Sequence, residues 1–129
     1  MAIELNHTIV WSSDQQAAAR MIAEVLGLPA PTKFARFDVV QLSNGVSLDF
    51  ATREGAIARQ HYAFLVSDAE FDAGLGRIKA KGVKWWADPA LSQPEQINHR
   101  DGGRGVYFEG PDGHVLELIT RPYGSGAEG

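Results

Sequence analysis

The sequence predicts an α+β domain of two βαβββ modules, with a curved mixed sheet around a concave cavity and the helices on the outer face. Three internal matches point there. Residues 7–14 read His-Thr-Ile-Val-Trp-Ser-Ser-Asp, and residues 61–68, 54 positions on, read His-Tyr-Ala-Phe-Leu-Val-Ser-Asp. The Ser-Asp pairs Ser13-Asp14 and Ser67-Asp68 keep that offset and mark helix starts. Asn44-Gly45 and Asp112-Gly113 are turn dipeptides, each followed four residues past its glycine by a carboxylate, Asp49 and Glu117.

Taken in order, 7–12 is a β-branched and aromatic strand. Ala18, Met21, Ile22, Val25 and Leu26 then recur at helical spacing until Gly27 stops them. Strands follow at 33–42, broken near Ala35, and at 46–52. The second module repeats the plan with a strand from His61, a helix carrying Phe71, Leu75 and Ile78 up to Gly82, and strands at 83–86, 104–109 and 115–120. The offset between the terminal carboxylates is 68, so the second module carries 14 extra residues, placed at the polar stretch 89–103. One domain over 1–123 is expected, with module one at about 3–53, module two at about 58–121 and a flexible tail at 124–129.

Composition narrows the chemistry. A net charge of -4 and scattered basic residues argue against nucleic acid. No cysteine is present, so any metal must be held by nitrogen and oxygen. With no apolar run of membrane-spanning length and no signal-like start, a cytoplasmic protein without membrane association is expected.

Strand alternation puts His7 in a row with Leu5, Ile9 and Trp11, and sets Asp49 opposite the core row Val46, Leu48 and Phe50. Likewise His61 opposes Tyr62, Phe64 and Val66, and Glu117 opposes Leu116 and Leu118. If the helices cover the apolar rows, His7, Asp49, His61 and Glu117 face the cavity. Carboxylates there need a compensating charge, and two imidazoles with one or two carboxylates suit Fe(II), Mn(II), Zn(II) or Ni(II). A metal in such a site would polarise a substrate oxygen, with Glu117 or Asp49 alternating between ligand and general base. Taken singly, His7 reads as a buried histidine bonded to a neighbour; the matched His61 and Glu117 make it a ligand candidate. Asp49 reads equally as a ligand or as a partner of a histidine.

The His-Thr opening at His7 and Thr8, the strand from His61 and the block Gly-Val-Tyr-Phe-Glu-Gly-Pro-Asp-Gly-His-Val-Leu-Glu-Leu-Ile over 105–119 resemble the vicinal oxygen chelate superfamily. That superfamily includes glyoxalase I, extradiol dioxygenases, fosfomycin resistance enzymes and bleomycin resistance proteins. The resemblance implies a homodimer, a small-molecule substrate and metal ligands at His7, His61 and Glu117, with Asp49 standing where glyoxalase I has a glutamate. It also keeps two alternatives open: a metal-free drug- or metabolite-binding protein, and a fosfomycin-type thiol transferase, which would need some of Arg36, Arg53, Arg59, Arg100 and Arg104 near the site. His99 and His114 are read as solvated polar residues, His114 because it directly follows a turn glycine. Trp11, Trp85, Trp86 and Phe108 are read as core or interface in preference to a pocket lining.

Overall fold

In the computed structural model, which describes residues 2–126, each helix begins where a Ser-Asp pair interrupts a strand. In module one, β1 (His7–Ser12) runs into α1 (Gln15–Leu26). The Asp14 side chain accepts from the Ala17 N–H at 3.2 Å, and Gly27, at φ 68°, ends the helix with its N–H on the carbonyls of Ala23 and Glu24. Then come β2 (Thr32–Phe34), β3 (Phe37–Gln41) and β4 (Ser47–Thr52), in the order β1-β4-β3-β2, with β1 parallel to β4. The break between β2 and β3 falls at Ala35, as expected, in a left-handed conformation.

Module two repeats the plan with β5 (His61–Leu65), α2 (Asp68–Ala80), β6 (Trp85–Trp86), β7 (Gly105–Glu109) and β8 (Val115–Ile119), ordered β5-β8-β7-β6. Here the serine of the pair is the cap. Ser67 and Glu70 form a reciprocal capping box that leaves Asp68 inside the helix. The two sheets, each mixed, belong to separate compact units, Met1–Ala58 and Arg59–Gly129.

Each unit has its own core. Val10, Ile22, Val25, Val40, Leu48 and Phe50 are buried in the first, and Phe71, Ile78, Val106, Phe108, Leu116 and Leu118 in the second. Each such side chain contributes about 1.5–3 kcal/mol through removal from water. Phe108 is thus core, as expected, whereas Trp85 and Trp86 are half-buried and the Lys79 ammonium sits 5.2 Å from the Trp85 ring. In α2 Phe71 and Ile78 are buried as expected, while between them Gly74 is buried and Leu75 only half-buried.

The extra stretch 89–103 has no strand of its own yet is well tied. The Asp88 carboxylate accepts from the N–H groups of Ser92 and Gln93, and the hydrogen bond with the Ser92 side chain leads in holding its pKa below the usual value. Asn98 donates to the Ala87 carbonyl at 2.8 Å and lies so close to Gly105 that a Cβ there would stand 2.8 Å from its side chain. Of the stretch 124–129, Gly124 and Gly126 donate to the Asp101 carboxylate, and 127–129 lie outside the described residues. Among the described residues no helix is long and apolar enough to cross a membrane.

Gln15 knits module one together. Its side-chain amide donates to Asp38 at 2.7 Å and to the Arg36 carbonyl at 2.8 Å, and its carbonyl oxygen accepts from the Thr52 N–H at 2.9 Å. Burial works against ionised Asp38, but the bonds from Gln15 and Lys33 outweigh it and hold its pKa below the usual 3.8. A carboxyl lowered in the folded state stabilises above its unfolded pKa and loses that contribution as pH falls through the folded value. Asp38→Asn should therefore cost about 1 kcal/mol at pH 7, a modest figure because Lys33 is exposed. In urea titrations across pH, the gap to wild type should narrow as pH falls below 3.8; a gap that stays constant or widens as acid is added would contradict this account.

Candidate metal centre

The parallel register of β5 and β8 sets His61 opposite Val115 and Ala63 opposite Glu117. Side chains two apart on a strand share a face, so His61 stands diagonal to Glu117, and the small Ala63 leaves room for the imidazole to cross. His61 Nε2 lies 3.0 Å from Glu117 Oε1. The Nδ1–H donates to the Val115 carbonyl at 2.9 Å, because a carbonyl oxygen only accepts. With the tautomer fixed, a proton or a metal ion belongs between Nε2 and Oε1.

The burial is lopsided. The Glu117 side chain is 0% exposed, whereas that of His61 is 49% exposed. A fully sequestered carboxylate is thus held at Oε1 by an imidazole that opens to solvent, as a site that exchanges ligands requires. The spacing also suits a metal: bonds of about 2.0–2.2 Å to nitrogen and oxygen, set near a right angle, place the two donor atoms about 3 Å apart. A backbone carbonyl on the far ring nitrogen is the usual orienting partner of a ligating histidine.

The other carboxylate oxygen, Oε2, accepts a short hydrogen bond from the Tyr123 hydroxyl. The Tyr123 oxygen is in turn 2.9 Å from the Tyr107 hydroxyl, which accepts from Arg100 Nη1 at 2.7 Å. Tyr107 also stacks on His61, with ring centroids 5.9 Å apart and planes at 25°. Desolvation of the hydroxyl first, then its bonds to Glu117 and Tyr107, pushes the Tyr123 phenol well above its usual pKa although the ring is largely exposed, which keeps it a donor.

Neither tyrosine is a candidate on sequence grounds alone. Tyr107 has a legible signal, since a hairpin turning at Asp112 brings it opposite Glu117, the observed register. Tyr123 lies beyond the last strand, where no periodicity applies.

Module one uses the same register differently. His7 pairs with Ser47 and Ile9 with Asp49. Asp49 is buried and accepts from Ser47 Oγ at 2.9 Å, while His7 is exposed, with Nδ1 2.7 Å from Asn6 Oδ1. Bulkier Ile9 replaces Ala63, and the shorter aspartate takes a donor from its own strand. The structure thus brings His61 to Glu117 and gives His7 and Asp49 local partners in the other module. Among the described residues, no three His, Asp or Glu side chains come together as a metal-holding group.

His99 is exposed before the turn Arg100–Gly102. His114, expected at the surface, is instead 2% exposed. Its Nδ1 accepts from the Gln60 N–H at 3.0 Å, and its ring meets Tyr62 edge-on at 6.1 Å, so it ties the start of β5 to the turn before β8.

No family model matches the chain. Glutathione transferase FosA from Serratia marcescens is 31% identical over 127 residues, covering 92% of this chain and 81% of its own. The chain belongs to the vicinal oxygen chelate superfamily. Two solved structures share more of this member's sequence. Oxidase ChaP-H2 is 54% identical with a TM-score of 0.95, covering 98% of this chain and 100% of that one. Oxidase ChaP-H1 is 57% identical with a TM-score of 0.93, covering 95% and 99%.

The unequal burial of the pair makes its two halves unequal under mutation. His61→Ala leaves a buried carboxylate oxygen without its partner and should cost the metal-free protein about 1–3 kcal/mol. Glu117→Gln keeps the shape and can still bond both neighbours, so it should cost under about 1 kcal/mol. Denaturant melts of the two metal-free variants check this, and an inverted order would contradict the burial argument.

Proposed function

We propose that this vicinal oxygen chelate protein is a metal-dependent enzyme of the oxidase or dioxygenase kind, acting on a small substrate that presents adjacent oxygens. The observation that carries the reading is the His61–Glu117 pair, spaced for two ligands of one ion on a rigid sheet. The oxidases ChaP-H1 and ChaP-H2, alike over almost the whole chain, support oxidation over other chemistries of the fold.

In this proposal His61 and Glu117 are ligands, His7 is the second imidazole and Asp49 an optional fourth donor. Fe(II), Mn(II), Zn(II) or Ni(II) suits such a set, and the bound ion supplies Lewis acidity and, for iron or manganese, redox chemistry. Glu117 would alternate between ligand and general base, releasing an oxygen to take a proton from the substrate. Tyr107, and Arg100 through it, line the approach to the pair.

A homodimer completes the proposal. Leu5 and Ile9, in the row of His7, and Leu65, in the row of His61, are exposed apolar side chains that a second copy would cover. A second reading, a thiol transferase working on an anionic substrate, draws on the FosA relationship and on the Arg100 guanidinium beside Tyr107.

The test is anaerobic reconstitution followed by elemental analysis. Wild type should hold a stoichiometric divalent metal that His61→Ala, Glu117→Ala and His7→Ala each lose. Oxygen uptake with catechol-like substrates supports the oxidase, and consumption of glutathione supports the transferase. If wild type holds no metal, the enzyme reading falls and sequestration of a small molecule takes its place. Refolding a mixture of His7→Ala and Glu117→Ala chains adds a separate check: ligands drawn from two copies would restore one intact site per mixed dimer, and ligands from one chain would restore none.

A further inference from the structure

Glu117 is engaged on both oxygens, and its two partners have different origins. His61 reaches Oε1 from within the sheet, while Tyr123 reaches Oε2 from the segment after β8. That segment is constructed to arrive there. Ser125 closes a turn on the Pro122 carbonyl through its N–H at 3.1 Å and its hydroxyl at 2.6 Å, and Gly124 supplies a φ of 81°. Asp101 then takes the Gly124 and Gly126 N–H groups at 3.2 and 3.0 Å. Gly126 packs so closely that any Cβ on it would overlap the Asp101 backbone. The same turn, Arg100–Gly102, sends Arg100 to Tyr107, whose hydroxyl is the second neighbour of the Tyr123 phenol.

We propose that Tyr123 is a positioning residue of the metal centre: its hydroxyl holds the Glu117 carboxylate so that Oε1 is presented beside His61 Nε2, and the Asp101–Gly126 strap delivers it. This rests on the metal reading above. The sign follows from which oxygen is taken. Tyr123 occupies the oxygen away from His61, so it does not compete for the ligand position; it removes the carboxylate's freedom to rotate. Its loss therefore weakens metal binding, and outer partners of this kind typically account for about 10–100-fold in affinity.

The experiment is a Co(II) titration of metal-free protein, read by visible absorption, on wild type, Tyr123→Phe and Gly126→Ala, with Tm measured on each metal-free form. Tyr123→Phe should raise the Kd for Co(II) about 10–100-fold and alter the bound-cobalt spectrum, and it should lower the metal-free Tm modestly because buried Oε2 loses its donor. Gly126→Ala, which removes no side chain of the centre but disturbs the strap that delivers Tyr123, should shift the Kd in the same direction by a smaller factor. A Tyr123→Phe protein that binds Co(II) within about twofold of wild type, or more tightly, overturns the inference while leaving the metal reading standing. Failure of wild type to bind Co(II) removes both.

Discussion

The parallel pairing of β5 with β8 is the constraint on which the candidate centre depends. Its register makes Glu117 and His61 diagonal neighbours and puts only Ala63 between them. It also delivers the Val115 carbonyl to the far side of the imidazole. A slip of one residue would turn Glu117 into the apolar core on the helix side without a partner and move Leu116 and Leu118 out to the other face. Hydrophobic patterning thus protects the polar pair: the apolar row that builds the core of module two is what holds the carboxylate on the other face.

The two modules show how one frame serves two ends. The same register in module one produces no His–carboxylate pair, because Ile9 fills the place of Ala63 and Ser47 supplies a hydroxyl to Asp49. His7 is left exposed on a strand whose open row carries Ile9 and Trp11, the latter with the Arg53 guanidinium 5.5 Å from its ring. Duplication fixes where side chains can stand. The chemistry is then set by one methylene and one hydroxyl.

Much of this was legible beforehand. The helices, the break at Ala35 and both hairpin turns declare themselves through caps, glycines and alternation, all local effects that depend on a few neighbouring residues. His61 and Glu117 were legible because the repeat and the strand faces agree on them. What stayed hidden depends on long-range placement. The burial of His114 needs Gln60 and Tyr62, far away in sequence, and the usual exposure of a residue after a turn glycine argues the opposite. Tyr123 enters through a turn whose anchor, Asp101, lies in the stretch 89–103, where composition signals only a loop. Which cap is used at each Ser-Asp pair is likewise settled by the structure, since β1 is one residue longer than β5.

Val115 divides its labour in a way that bears on how such a site can evolve. Its backbone oxygen orients the imidazole, while its half-buried side chain stands in the same row as Glu117 on the open face. Because the orienting group belongs to the main chain, the gene can change the residue at 115 without disturbing the tautomer of His61. Substitution at 115 can therefore reshape the surface beside the pair while His61 and Glu117 keep their geometry.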